Sequence, residues 1–289
     1  MKFSLLSLCL YVSVVYAHAQ NSPWESVAPS GSSIYTDVRS ALKEPTMCYR
    51  LDLTNADFTI DRKILPKIPQ LTSVMALKLG NNHLTEIPSV FLSLTAMEYF
   101  GSFNNPLTTI SDSIGMLGNL RYIEFTGTNF DTLPVAITGL DRLQSLTISR
   151  NKDTLYIPKD YAEMHNSLTD LSVYYTTLDT LPAEFAKLDK VKRLVFYKCG
   201  LTYFPEQVMP MTSLQELYLD SNNIHELPRK ISSMTGLKVL SLKGNHISQM
   251  PSTICFCKSL EVLDLTGNPI DPYDVQVLQT LLPQCRILF

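Results

Sequence analysis

The chain has 289 residues, of which 45% are hydrophobic and 18% are charged, and its 24 basic and 27 acidic residues give a formal net charge of −3. This length suits one large domain or two small ones. The charge balance argues against a nucleic-acid-binding protein, which normally carries a clear basic excess.

The first 19 residues have the three-part layout of a secretory signal peptide. Lys2 gives a positive start, an apolar run extends from Phe3 to Val15, and Ala17 and Ala19 place small residues at the −3 and −1 positions of a cleavage after Ala19. A membrane anchor is the alternative, but it needs about 20 apolar residues, which is more than this run provides. We therefore expect an exported protein that is secreted, periplasmic or attached to a cell surface, without an integral membrane segment once the signal is removed.

Residues 20–32 are rich in Ser, Pro and Gly and predict a flexible leader. They include Trp24, the only tryptophan, which we expect to tuck against the first repeat of the domain that follows. Residues 33–44 then have the pattern of a helix, within an N-terminal cap over 33–47. Pro45 ends this helix, because a proline disfavours helical backbone at the residue before it.

Prolines mark an internal repeat in the rest of the chain. Large apolar residues precede seven of them, which are Pro88, Pro134, Pro158, Pro182, Pro205, Pro228 and Pro251. Successive prolines are 46, 24, 24, 23, 23 and 23 residues apart, and 46 is twice 23. A fixed period of this size predicts a stack of similar supersecondary units.

A second pattern precedes these prolines at a constant distance. Its clearest copy is Leu214-x-x-Leu217-x-Leu219-x-x-Asn222-x-Ile224. Ten copies are in register, and they begin at Cys48, Val74, Met97, Leu120, Leu143, Leu168, Val191, Leu214, Leu237 and Leu260. We number these copies as coils 1–10, and we count positions within each coil from its first residue.

This pattern resembles the leucine-rich-repeat family in its LxxLxLxxNxLxxLPxxI form, which is similar to the repeats of intracellular Ras-group proteins and of many secreted bacterial members; the segment before the first coil resembles the entry helix of the secreted bacterial kind. The resemblance covers Cys48 to Phe289. It implies an α/β fold in a domain over 48–289: a curved, right-handed solenoid of about ten 23-residue repeats, with a parallel β-sheet on its inner face and a cap at each end.

The physical chemistry of a coil stack explains the fixed positions. Leucines at positions 1, 4 and 6 point into the stack, where only neighbouring coils can bury them. The Asn at position 9, as in Asn222, turns the chain, and its amide can bond to main-chain groups of adjacent coils. The last coil also needs a cover. We predict a C-terminal cap from about residue 271, with a helix over 272–282 and a strand at 286–288.

Five cysteines remain when Cys9 leaves with the signal, and an odd number implies at least one free thiol or an intermolecular bond. Cys199 takes the Asn position of its coil, and we interpret it as a buried free thiol. Cys257 and Cys285 lie at apolar positions near the C-terminus, with Cys255 close by. Export permits a disulfide from Cys285 to Cys257 or Cys255, and buried free thiols are the alternative.

The sequence has no recognisable catalytic, cofactor-binding or metal-binding motif. It lacks GxSxG, a glycine-rich phosphate loop and a Cys-His signature. His225 and His246 follow the strands of neighbouring coils. Without further ligands we interpret them as solvated side chains rather than a metal site. We therefore expect a non-enzymatic protein that uses no cofactor.

Positions 2, 3, 5, 7 and 8 of the coils are expected to face the concave side. Two groups of aromatic side chains on neighbouring coils are found there, and they are Tyr99, Phe103 and Tyr122 in coils 3 and 4, and Tyr174, Tyr197 and Tyr218 in coils 6–8. Together with Glu124 and Arg193 they form the predicted ligand-binding set. Coil 5 shows small polar residues between the groups, with Arg150 at its edge, and Tyr175 lies beside the second group.

The concave face is predicted to bind another molecule, because tyrosine and arginine are frequent at interface hot spots. Strand propensity is the competing explanation for the tyrosines. A protein partner is the leading hypothesis. A carbohydrate-binding surface protein, with the concave tyrosines stacking on sugar rings, is the alternative, and a self-assembling scaffold is a third class.

Overall fold

A computed structural model describes residues 23–56, 63–152 and 154–289. The predicted signal peptide at residues 1–19 lies outside the described residues. Within the described part, no helix is long and apolar enough to span a membrane.

One all-parallel sheet runs the length of the domain, and its strand order follows the sequence order. The described strands are β1 Ile34–Tyr35, β2 Arg50–Asp52, β3 Ala76–Gly80, β4 Tyr99–Phe103, β5 Tyr122–Thr126, β6 Ser145–Ser149, β7 Asp170–Tyr174, β8 Arg193–Tyr197, β9 Glu216–Tyr218, β10 Val239–Ser241, β11 Val262–Asp264 and β12 Arg286–Leu288. Residues at the same position of successive coils pair, as Tyr99 does with Tyr122 and Tyr174 with Tyr197. The repeat register read from the sequence is therefore the register of the sheet, and the predicted solenoid is confirmed.

Short 3-10 helices, rather than α-helices, form the opposite side of the coils. They lie at Leu65–Gln70, Ser89–Ser93, Asp112–Met116, Val135–Gly139, Lys159–Asn166, Ala183–Lys187, Glu206–Val208, Arg229–Ser233 and Ser252–Phe256. Most begin directly after a repeat proline, as at Pro228. Only eight residues separate Pro228 from Leu237, the first residue of the next coil. So short a connection leaves room for little more than one tight helical turn.

The core consists of the leucine positions of the motif. In coil 8, Leu214, Leu217 and Leu219 are at most 2% exposed. The side chain of Asn222 bonds to three main-chain groups of the previous coil. Its Nδ2 donates to the carbonyl oxygen of Phe196 at 2.7 Å, and its Oδ1 accepts from the amide of Cys199 at 2.9 Å. Coil 8 is thus joined to coil 7 by both apolar contact and a buried side-chain amide.

The two caps differ in how closely they match the sequence pattern. At the C-terminus, helix α3 Pro272–Leu281 and strand β12 lie where the pattern predicts them. At the N-terminus, the helix expected over 33–44 is only α2 Val38–Ala41, with Asp37 as its N-cap. The preceding residues instead form β1, which pairs with β2 and extends the sheet past the first coil. Sheet hydrogen bonding therefore replaces the first turn of the expected helix.

Residues 23–32 are folded rather than loose. They begin with helix α1 Pro23–Ser26, and Trp24, Val27 and Ala28 are at most 8% exposed. This segment does not lie at the end of the stack. It crosses onto the concave face, where Trp24 and Val27 pack against Ala76 and Tyr99. This apolar contact stabilises the segment despite its Ser, Pro and Gly content.

Cysteines in the described residues are all free thiols. Cys257 is buried, and its thiol lies 3.2 Å from the carbonyl oxygen of Ile231. Cys255 and Cys285 are partly exposed, and neither is joined to Cys257. Cys199 is buried at the Asn position and contacts the carbonyl oxygen of Val173 at 3.3 Å, so it takes over one contact of the missing amide.

Candidate binding surface on the concave face

Alternation along the strands defines the concave surface. In β5 and β6, positions 4 and 6 are buried, whereas positions 3, 5 and 7 are partly exposed. This is the pattern expected when successive side chains point to opposite faces of a sheet. Positions 3, 5 and 7 of the other coils lie in register with these, so they form one continuous surface.

The N-terminal aromatic group is covered by the chain itself. The ring of Trp24 meets the ring of Tyr99 edge-on, with 5.7 Å between centroids and 70° between planes. Lys78 Nζ lies 4.3 Å from the centroid of the Trp24 ring, in cation–π contact. Val27 and Ala76 complete this cluster, and Tyr99 has no exposed surface.

An ion pair holds the same segment to the first coil. Arg50 Nη1 lies 3.4 Å from Glu25 Oε2, and Arg50 is only 7% exposed. Position 3 is consequently buried in coils 1, 2 and 3, at Arg50, Ala76 and Tyr99. Trp24 was expected to contact the first repeat, but its ring packs against coils 2 and 3.

Tyr99 and Glu124 form a polar contact beneath this cover. The Tyr99 hydroxyl donates to Glu124 Oε2 at 2.8 Å. Burial raises the pKa of the Glu124 carboxyl, while the hydrogen bond from Tyr99 and the charge of Lys78 oppose that shift. Two other members of the predicted group, Phe103 and Tyr122, remain partly exposed. Of this group, only their surfaces are open to an external ligand.

The second aromatic group is open at its centre. Tyr174 and Tyr197 lie side by side on β7 and β8, with 6.4 Å between ring centroids and 50° between planes. Both are partly exposed. Beside them, coil 5 presents Ser149 at position 7, and the small side chains of coil 5 leave room next to the Tyr174 ring.

Tyr218 and Arg193, in contrast, are largely buried, at 4% and 8% exposure. The guanidinium carbon of Arg193 lies 5.2 Å from the Tyr218 ring centroid. Arg193 Nε is 3.4 Å from Glu216 Oε2, which is ion-pair distance without hydrogen-bond geometry. The Tyr218 hydroxyl donates to the same carboxylate at 3.2 Å. These residues therefore support the surface rather than offer free groups to a ligand, which corrects their predicted role.

Position 8 has left-handed backbone in every coil. The φ angles are 60° at Asn55, 52° at Asn81, 51° at Asn104, 70° at Gly127, 52° at Arg150, 50° at Tyr175, 52° at Lys198, 56° at Ser221, 66° at Gly244 and 77° at Gly267. Glycine and asparagine tolerate this conformation, whereas other residues bear a cost of about 1–3 kcal/mol. Long side chains occupy it in coils 5, 6 and 7 alone.

A hydrogen-bond ladder fixes this backbone conformation. The amide of Arg150 donates to the carbonyl oxygen of Tyr174, the amide of Tyr175 to that of Tyr197, and the amide of Lys198 to that of Asp220, at 2.9, 2.9 and 3.1 Å. The left-handed residues thus stand one above another, a strand spacing apart. The paired strand before position 8 and the buried residue at position 9 after it keep the backbone in this strained conformation.

The three long side chains converge. The guanidinium carbon of Arg150 lies 5.8 Å from the Tyr175 ring centroid, and Lys198 Nζ lies 5.3 Å from the same centroid. Lys198 Nζ is also 5.7 Å from the Tyr197 centroid. Tyr175 is 41% exposed, and both cations are exposed. We call Arg150, Tyr175 and Lys198 the rim cluster.

Lys198 was missed by sequence reasoning, and Arg150 and Tyr175 were noted only as neighbours of the predicted set. A usable signal was present: position 8 is Asn or Gly in six of the ten coils. Arg150, Tyr175 and Lys198 occupy position 8 of three successive coils and depart from that pattern.

His225 and His246 lie together outside the sheet, with 5.3 Å between ring centroids. In the part of the chain that the structure describes, no group of three or more His, Cys, Asp or Glu side chains could hold a metal ion. This pair therefore provides two ligands at most.

Comparison with known proteins agrees with this architecture. Residues 212–270 match the family described as "Leucine rich repeat". A Drosophila melanogaster leucine-rich repeat and calponin homology domain-containing protein is 28% identical over 138 residues, which is 48% of this chain and 17% of the fly protein. The chain thus spans less than a fifth of that relative.

Solved structures share the fold at low sequence identity. The leucine-rich repeat domain of the type III effector XopL is 20% identical and has a TM-score of 0.66, with 100% of this chain and 96% of that chain covered. The Drosophila Toll–Spatzle complex matches with 20% identity and a TM-score of 0.65, over 85% of this chain and 38% of that chain. The repeat register and the shared structures show that this chain has the leucine-rich-repeat fold, and residues 212–270 match the leucine-rich-repeat family itself.

Proposed function

We propose that this protein is a non-catalytic binding module that holds a protein partner on its concave face, centred on Tyr174 and Tyr197. The observation that carries this proposal is the pair itself: two adjacent aromatic side chains, 6.4 Å apart and partly exposed. Aromatic side chains with a polar tip give a large contact area at low entropic cost, as at interface hot spots.

The C-terminal half is favoured because the N-terminal half is occupied. Residues 23–28 bury position 3 of coils 1–3, and a partner would have to displace Trp24 to reach Tyr99. No such cover lies over Tyr174 and Tyr197 among the described residues. Fold neighbours support a protein partner, since Toll is matched here in a complex with Spatzle.

Export is part of the proposal. It rests on the signal-like composition of residues 1–19, and the protein would act as a secreted, periplasmic or surface-associated molecule. The absence of a catalytic motif supports a binding role without a cofactor. The net charge of −3 gives no support to nucleic acid as the partner.

A matched pair of variants tests the binding face. The purified protein, Tyr174→Ala/Tyr197→Ala and the control Tyr203→Ala/Tyr273→Ala are immobilised and exposed to native extract or host fluid. Tyr203 and Tyr273 are 79% and 70% exposed and lie outside the strands. Captured proteins are quantified by mass spectrometry.

We expect a partner that the wild type and the control capture equally, and that the concave variant captures at least about tenfold less. Equal capture by all three would rule out the concave face. Carbohydrate binding is a distinct outcome: oligosaccharides would cause a saturable change in tyrosine fluorescence that the concave variant loses, while no protein partner is retained.

A further inference from the structure

We propose that the rim cluster of Arg150, Tyr175 and Lys198 is a subsite for an acidic peptide segment of the partner. This inference rests on the proposed function, because it names the chemistry that the partner presents next to Tyr174 and Tyr197. A carboxylate lies between the two cations, and a neighbouring apolar side chain packs against the exposed edge of Tyr175.

Charge is the first argument. Arg150 and Lys198 have no ion pair with a carboxylate among the described residues, whereas Arg50, Arg121 and Arg193 each have one. Both cations lie within 6 Å of the Tyr175 ring centroid, so the ring holds them near each other. Two cations gathered in this way favour an anion, and a guanidinium can bind a carboxylate through two parallel hydrogen bonds.

Backbone strain is the second argument. Seven of the ten coils have Asn, Gly or Ser at position 8, and only coils 5–7 have long side chains in this left-handed conformation. A bulky residue with positive φ is uncommon and concentrates at functional sites when the surrounding structure enforces it. The fold does not need these three side chains there, since Asn and Gly build the same ladder in adjacent coils.

Ring geometry favours a peptide over a sugar at this subsite. A sugar stacks on an open aromatic face, but cations lie over the faces of Tyr175 and Tyr197. Tyr175 and Tyr197 also meet edge-on, with 5.2 Å between centroids and 73° between planes. A carboxylate on a flexible peptide reaches the cations without needing a flat platform.

The test replaces the cluster with the residue that the fold already uses. Arg150→Asn/Tyr175→Asn/Lys198→Asn gives coils 5–7 the position-8 residue of coils 1–3, so the variant is expected to fold with unchanged or higher thermal stability. Lys187→Asn/Lys230→Asn is the charge control, because it removes the same number of positive charges from exposed sites on the 3-10 helices at the opposite side of the coils. The probe is a fluorescein-labelled 12-residue peptide of alternating Glu and Leu, measured by anisotropy at low and high salt.

We expect saturable binding that weakens as salt is added, and an affinity about 100-fold lower in the cluster variant than in the charge control, as expected when two charge-assisted contacts are lost. A Gln-Leu peptide should not bind. Equal binding of the acidic peptide by both variants would overturn the proposal, as would no binding by the wild type. Competition by polygalacturonate, without binding of the peptide, would assign the subsite to an acidic glycan instead.

The two proposals fail separately. A native partner lost from Tyr174→Ala/Tyr197→Ala but retained by the cluster variant would preserve the proposed function and refute the acidic subsite. Loss of the native partner from both variants, together with retained folding, would support both.

Discussion

Trp24 and Lys78 form a contact across the concave face, with the lysine Nζ 4.3 Å from the ring centroid of the indole. The indole comes from the segment before the first strand, and the lysine comes from coil 2. The contact therefore fastens an N-terminal segment, predicted to be loose, onto the inner sheet, and it explains why Tyr99 is buried.

Removal of this anchor should destabilise the domain. Trp24→Ala deletes a side chain that is 3% exposed, and we expect a loss of about 3 kcal/mol in the free energy of unfolding, as for other buried aromatic truncations. Urea denaturation followed by circular dichroism measures it. Tyr203→Ala, at a site 79% exposed, is the control and should change stability by less than about 0.5 kcal/mol. An unchanged midpoint for Trp24→Ala would mean that the segment is not docked.

Gly101 provides space for the rings beneath that segment. A Cβ at this position would lie 2.7 Å from Tyr99 Oη and 2.7 Å from Phe103 Cε2. We expect Gly101→Ala to lower stability by about 1–3 kcal/mol, because overpacking displaces both rings, and to shift Trp24 fluorescence toward the red. Gly118→Ala, where a Cβ meets nothing within 4 Å, serves as the control. Equal stability of the two variants would contradict the close packing.

Asn222 should be costly to replace. Its side chain satisfies the amides of Cys199 and Leu201 and the carbonyl of Phe196. We expect Asn222→Ala to destabilise the protein by about 3 kcal/mol, because buried polar groups lose their partners. The adjacent and exposed Asn223 gives a matched Asn223→Ala control with little effect in the same urea titration. Similar losses in both variants would show that the buried amide is dispensable.

Asp220 should make stability depend on pH. Burial raises the pKa of its carboxyl from 3.8 to about 6, and the charge of Asp264 adds to the shift, while hydrogen bonds from Ser241 and from the Lys243 amide oppose it. Because the folded-state pKa lies above the unfolded one, the folded protein binds the proton first as pH falls. The Asp220 carboxyl therefore destabilises the folded protein most above pH 6, and its contribution to the free energy of unfolding becomes more favourable by up to about 3 kcal/mol as pH falls from 7 towards 4.

Asp220→Asn tests this dependence, since the amide retains an acceptor for the same donors. The difference between wild type and variant in denaturation free energy should widen as pH rises through about 6. The exposed Asp141 provides an Asp141→Asn control, whose curve should run parallel to the wild type between pH 5 and 7. Parallel curves for Asp220→Asn would show that Asp220 does not titrate in this range.

The repeat register was predictable because it follows from local spacing. Leu214, Leu217 and Leu219 recur with one period, so a single coil specifies how its neighbours pair. The docking of residues 23–28 was not predictable in this way. This docking depends on the surface that Ala76 and Tyr99 form together from separate strands. A segment rich in Ser, Pro and Gly also has no hydrophobic periodicity from which its packing could be predicted.

Candidate site residues were predicted by type but not by exposure. Tyr174 and Tyr197 at position 7 are partly exposed, as expected. Tyr218 at position 5 and Arg193 at position 3 were also expected to face the concave side, but they are buried by each other and by Glu216. The alternation of side chains along a strand predicts which face of the sheet each one points to, but it does not predict which neighbouring side chains cover it. The rim cluster could have been predicted from the sequence, because Tyr175 stands at a repeat position that is Asn or Gly in most other coils.

The path of residues 23–28 has a practical consequence for attachment. A tag or fusion partner joined just ahead of Pro23 would begin beside the segment that packs on the concave face over coils 2 and 3, and its bulk would restrict access to that face. Phe289 is 63% exposed and follows the last strand at the far edge of the sheet. Surface immobilisation or labelling through the C-terminus would leave the inner curve accessible, and binding measured on N-terminally tethered protein would underestimate the affinity.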